Sequence, residues 1–151
     1  MALREEFALD LREHRNPRGT ARLWTLTPTL YVTHVTGAMD GTHADLFERY
    51  GQERIDGATG PLVVFHDWLD MTGYTSECRT RLTRWSLARR NVYADVHLAV
   101  RSKLVAMGVE VANLALGGLI RTHGSRASLE AALALALRPP GDLPPPARGS
   151  R

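Results

Sequence analysis

Leu62-Val63-Val64-Phe65-His66-Asp67-Trp68-Leu69-Asp70-Met71-Thr72-Gly73-Tyr74 is the stretch on which the reading of this chain turns. Its first four residues form a continuous apolar run after the turn signal Gly60-Pro61, as expected of a strand covered on both faces. That run is the candidate central strand, with His66 and Asp67 at its end. Asp70 to Tyr74 reads as a loop, because Thr72-Gly73 is turn chemistry between a strand and a helix start. Thr75 or Ser76 then caps a helix with Cys78, Leu82 and Trp85 on one face and Arg79, Arg81 and Arg84 outside it.

Working outward toward the N-terminus, Gly37 and Gly41 end a strand pattern and Thr42 with Asp45 opens a helix from about 42 to 55. Residues 21–26 and 29–36 are rich in Thr, Val, Leu, Trp and Tyr, so two strands are expected with a break at Pro28. Phe7, Leu9 and Leu11 alternate with polar neighbours and predict a first strand over 5–11, closed by the turn Asn16-Pro17-Arg18-Gly19.

Toward the C-terminus, Val96, Leu98 and Val100 alternate as a strand, and 104–116 is a helix whose only polar members are Glu110 and Asn113. Gly117-Gly118 stops it, 119–123 makes a short strand, and Ser125 caps a last helix through about Leu137. Strands alternating with helices after residue 29 imply parallel pairing. The expected fold is α/β, with a mixed sheet of an antiparallel N-terminal hairpin and parallel strands and with helices packed on the sheet. One domain is expected over 1–138, followed over 139–151 by a disordered tail carrying five prolines in thirteen residues.

A chain of 151 residues folds with roughly 68–70% of its surface buried, so a core needs no staples. One cysteine, Cys78, allows no internal disulfide, and no apolar leader precedes Arg4, Glu5 and Glu6; a reducing, cytoplasmic setting is the expectation. The net charge is +3, of which Arg138, Arg148 and Arg151 against Asp142 supply +2. A body at +1 does not imply a nucleic-acid footprint. The run from Arg79 to Lys103 is locally basic and reads as a solvated helix face.

Nucleophile elbows, phosphate-cradling loops and paired metal motifs need fixed spacings that this sequence lacks. Its six histidines include no pair three or four residues apart, so no metal site and no cofactor is expected. His66 and Asp67 are the residues for a small hydrolase or lyase, since open α/β sheets place ligands at strand ends. The structural reading of the pair is favoured: His66 packs at the strand end and Asp67 bonds backbone N–H groups of the following loop. Cys78, on a core face, reads as an inert small hydrophobe.

The element order, with Leu62 to Asp67 leading into Asp70-Met71-Thr72-Gly73, resembles the STAS domain, whose bacterial members include anti-sigma-factor antagonists. On that resemblance Asp70, Thr72 and Gly73 match the acid, the phosphorylatable hydroxyl and the glycine of the family's loop, and Met71 stands where the family has a small hydroxyl residue. Gly73-Tyr74 and the helix from Arg79 to Trp85 are similar to the broader STAS-like group. The resemblance implies a non-enzymatic regulatory or protein-interaction module with Asp70, Thr72, Gly73, Tyr74 and Arg79 as its surface. A phosphate on Thr72 would add about −1.5 to −2 charge beside Arg79.

Helix 104–116 carries more apolar surface than one face needs. At thirteen residues it falls short of the ~20 that span a bilayer. A homodimer through Met107 and Val111 is one expectation, and a lipid or apolar small-molecule binding role is another.

Overall fold

The computed structural model describes residues 3–142, which form one six-stranded sheet with helices on both faces. The strands are β1 (Asp10–Arg15), β2 (Gly19–Thr27), β3 (Leu30–Met39), β4 (Leu62–Tyr74), β5 (Tyr93–Val100) and β6 (Ile120–His123). They lie side by side in chain order; β1, β2 and β3 pair antiparallel, and β3 to β6 pair parallel. The expected α/β class and mixed sheet are what the structure has.

Helices α1 (Gly41–Asp56), α2 (Ser76–Arg89) and α3 (Lys103–Ala115) connect successive parallel strands. Crossovers of one hand that always step the same way along a sheet must land on the same face. Accordingly Phe47, Tyr50, Cys78, Val105 and Val109 share one core with Val64, Trp68 and Leu98. Helix α4 (Arg126–Ala136) follows the last strand and turns to the opposite face, where Leu129 and Leu133 pack with Phe65, Leu69, Ala99, Trp24 and Leu3. Each helix starts on a side-chain cap, from Asp40, Thr75, Ser102 and Ser125. Gly117 and Gly118, both at positive φ, end α3 as expected.

Three local expectations are corrected. Residues 5–7 form a short 3-10 turn and β1 begins only at Asp10; Phe7 and Leu9 are exposed. The strand is set instead by its turn, where Asn16 Oδ1 accepts from the backbone N–H of Arg18 and Gly19 and starts the ladder Arg15↔Thr20 to Asp10↔Thr25. The cap of α1 is Asp40 rather than Thr42, and buried His43 completes it by accepting from the Asp40 backbone N–H. Most consequential, residues 70–74 are not a loop: β3 runs through Gly37 to Met39, and β4 stays paired with it to Tyr74.

That pairing is kept by extra residues in β4. Between His34↔Asp67 and Thr36↔Asp70, and again between Gly37↔Met71 and Ala38↔Gly73, β4 advances one residue more than β3. Such bulges re-aim side chains across a sheet. Pro140–Asp142 is a short 3-10 turn, and the remainder of the expected Pro-rich tail lies outside the described residues. No described helix is long and apolar enough to cross a membrane.

Candidate ligand-binding cavity

Between the sheet and α1, α2 and α3 lies a cavity of about 130 Å³. Interiors close-packed to crystal density contain few voids larger than a water molecule, so this space needs a cause. It lies in the small residues turned toward it: Cys78 on α2 and Ala112 on α3. These leave unfilled the gap that long side chains would occupy.

The walls are largely aromatic. Phe47, Trp68, Trp85 and the tyrosines 31, 74 and 93 come from five different elements. Tyr31 and Tyr93 share a hydroxyl–hydroxyl bond of 2.7 Å, and burial raises both phenols, Tyr93 to about 12. They stay neutral at physiological pH. Burial likewise pushes the Cys78 thiol up to about 12, which leaves it unreactive.

His66 brings to the cavity a ring nitrogen with no protein partner among the described residues. Trp68 Nε1–H donates to Thr33 Oγ1 at 3.1 Å, and the Thr33 hydroxyl lies 2.7 Å from His66 Nδ1. The Thr33 hydroxyl accepts from the indole, and Nδ1 is the one acceptor that its own proton has among the described residues; with that proton donated to Nδ1, the imidazole carries its own at Nε2. Burial lowers the His66 pKa to about 3, so the ring is neutral. Nε2–H has no protein partner among the described residues and is left as a donor to the cavity.

At the opening, Tyr74 lies over α3 so closely that a Cβ on Gly108 would sit 1.7 Å from its hydroxyl and 3.6 Å from Arg79 Cδ. Gly108 is therefore the residue that lets Tyr74 close against the helix. Burial raises the Tyr74 pKa, and the nearby charge of Arg79 opposes that shift.

The structure divides the residues singled out from sequence. Tyr74 and Arg79 meet at this opening. Gly73 stands in β4 beside Ala38 with open space on its Cα. Thr72 is exposed at a bulge, within a strand rather than on a loop. Asp70 belongs to the opposite face, 3.4 Å from Arg126 and 3.7 Å from His34. His66 and Asp67 do not form a dyad, because successive residues of a strand point to opposite faces. Asp67, 0% exposed, instead lies 3.2 Å from Arg126, and its Oδ1 accepts two long bonds of 3.4 Å, from Leu69 N–H and from Arg126 Nη2. Met107 and Val111 are 64% and 69% exposed on the outer side of α3, with Leu104 and Leu114.

Sequence reasoning missed Thr33 as the partner of His66 and the chain His97–His123–Ser128, joined at 2.9 and 2.7 Å on the α4 face. The alternation Val64, His66, Trp68 carried a signal for the first, since those three share one face.

No family model matches the chain, and no curated protein does. Among solved structures, the chain is similar to an uncharacterized protein from the DUF3478 family with a SpoIIAA-like fold from Shewanella loihica PV-4. The TM-score is 0.57 at 12% identity, over 82% of this chain and 92% of that one. The SpoIIAA-like fold is the STAS-like fold, so this chain has the architecture that the resemblance in its sequence implied.

Proposed function

We propose that this chain is a binding module, without catalytic machinery of its own, for a small apolar molecule held between the sheet and helices α1 to α3. The observation that carries this reading is the unpartnered Nε2–H of neutral His66, facing an aromatic-walled cavity of about 130 Å³. A cavity near 150 Å³ accommodates a benzene-sized molecule, which sets the scale of the occupant. A few polar groups in an apolar chamber give orientation, and the walls give affinity. The test is thermal unfolding with neutral probes such as 1-hexanol and toluene. A ligand at a hundredfold excess over its dissociation constant adds about 2.7 kcal/mol of stability. The gain should vanish in Ala112→Phe, which fills the space; probes that never raise the melting temperature of the wild type count against the reading.

A second reading is supported by the exposed stripe Leu104, Met107, Val111 and Leu114 on α3. It is a regulatory or interaction module in which this helix meets a second copy or a protein partner, with Thr72 near the end of β4 as an exposed, modifiable hydroxyl. Sedimentation equilibrium at micromolar concentration tests the homodimer: a monomer mass ends it, and a dimer that dissociates in Met107→Arg or Val111→Arg supports it.

A further inference from the structure

We infer that the occupant of the cavity is an amphipathic carboxylate, with its apolar body inside and its charged group at the opening against Arg79. This rests on the binding reading above and names the class of ligand. Of the residues lining the cavity, Arg79 is the single charged one: the walls contain no Asp, no Glu and no Lys, and His66 is neutral. Arg79 also has no carboxylate partner among the described residues. Arg81, two positions on, has three, lying 2.6, 2.8 and 3.8 Å from Asp45, Glu48 and Glu77. The sequence thus provides acids for the arginine that joins α2 to α1 and none for the one at the cavity.

A guanidinium without a carboxylate partner, set beside low-dielectric walls, attracts an anion and repels an ammonium, and its planar fork matches a carboxylate. The charged group belongs at the opening rather than at His66. A carboxylate taken to the floor would lose its hydration for neutral donors alone, whereas one at the exposed Arg79 stays partly hydrated. His66 Nε2–H then fits a neutral oxygen on the apolar body. The volume limits that body to one aromatic ring or about six carbons.

Thermal unfolding with sodium hexanoate, 1-hexanol and hexylammonium chloride at matched ionic strength, in wild type and Arg79→Gln, tests the assignment. Expected affinities run hexanoate, then hexanol, then hexylammonium. Arg79→Gln weakens hexanoate about tenfold, the size of one charge-assisted bond, and leaves hexanol unchanged, which also shows that the variant is folded. Hexanoate binding no tighter than hexanol, or equally tight in the variant, overturns the carboxylate assignment while the cavity reading stands. No stabilisation of the wild type by any of the three overturns both.

Discussion

The two faces of the sheet are built from the same strands and packed by opposite rules. On the α4 face, Phe65, Trp24, Leu129 and Leu133 are almost fully buried, and His97 stacks flat on Phe65 at 4.4 Å. On the face covered by α1 to α3, small residues on α2 and α3 leave a chamber. Strand β4 contributes to both, sending Phe65 and Asp67 one way and Val64, His66 and Trp68 the other. Stability is concentrated where large buried side chains interlock, and capacity for an enclosed apolar ligand where small ones leave a chamber. If so, substitutions on the two faces should differ in both size and kind of effect.

The largest expected effect is on the packed face. Phe65→Ala removes a fully buried ring and should cost about 3–5 kcal/mol in urea denaturation. Leu82→Ala, at the chamber wall, enlarges an existing space around a partly buried side chain and should cost clearly less. Equal losses would mean the faces are packed alike.

Next in size is the buried charge beneath α4. Arg126→Met leaves Asp67, at 0% exposure, without its partner, and breaking a buried pair from one side costs about 3–5 kcal/mol. Because the Arg126 side chain reaches solvent, about 2–3 kcal/mol is expected from the difference in urea midpoints. The Asp67→Asn, Arg126→Met double variant should recover part of that loss. A single variant as stable as wild type would show that the carboxylate is satisfied without the arginine.

The third prediction belongs to the chamber. Burial lowers His66 from 6.5 to about 3, so between those values the unfolded chain takes up a proton that the folded chain refuses. Stability from this group is fully present above about pH 6.5 and is lost as pH falls toward 3. From pH 7 to 5 the wild type should lose about 1–2 kcal/mol more than His66→Gln. Parallel pH profiles for the two proteins would place the imidazole in water.

How much of this was legible from sequence follows from the range of the interactions involved. The central strand, the parallel pairing after residue 29 and the Thr75 and Ser125 caps are local or periodic signals, and they stand in the structure. The start of β1 was misplaced because the apolar alternation of Phe7, Leu9 and Leu11 outweighed the turn at Asn16, which sets the register. The division of the Asp70 to Arg79 group between two faces was not legible, because it depends on bulges in β4. A bulge is a mismatch with a neighbouring strand distant in the sequence and leaves no mark of its own there. The chamber was invisible for a similar reason: Gly108 and Ala112 look like ordinary helix residues until α2 and the sheet are placed around them.

The smallest effect is expected at Thr72, and it bears on where the faces divide. Thr72 is the extra residue between the pairs Gly37↔Met71 and Ala38↔Gly73, exposed while Met71 before it is buried. Its side chain is outside both packed layers, so Thr72→Glu should change stability by no more than about 0.5 kcal/mol. Deleting Thr72 tests the same point from the backbone. Removing the extra residue makes Gly37↔Met71 and Ala38↔Gly73 consecutive on both strands, so the ladder becomes regular and alternation from Met71 still carries Tyr74 to the Met71 face. Tyr74 keeps its position over Gly108. Both Thr72→Glu and the deletion should therefore retain 1-hexanol stabilisation at wild-type strength. Loss of probe binding in Thr72→Glu would mean instead that the hydroxyl reaches the chamber and that the two faces communicate through the bulge.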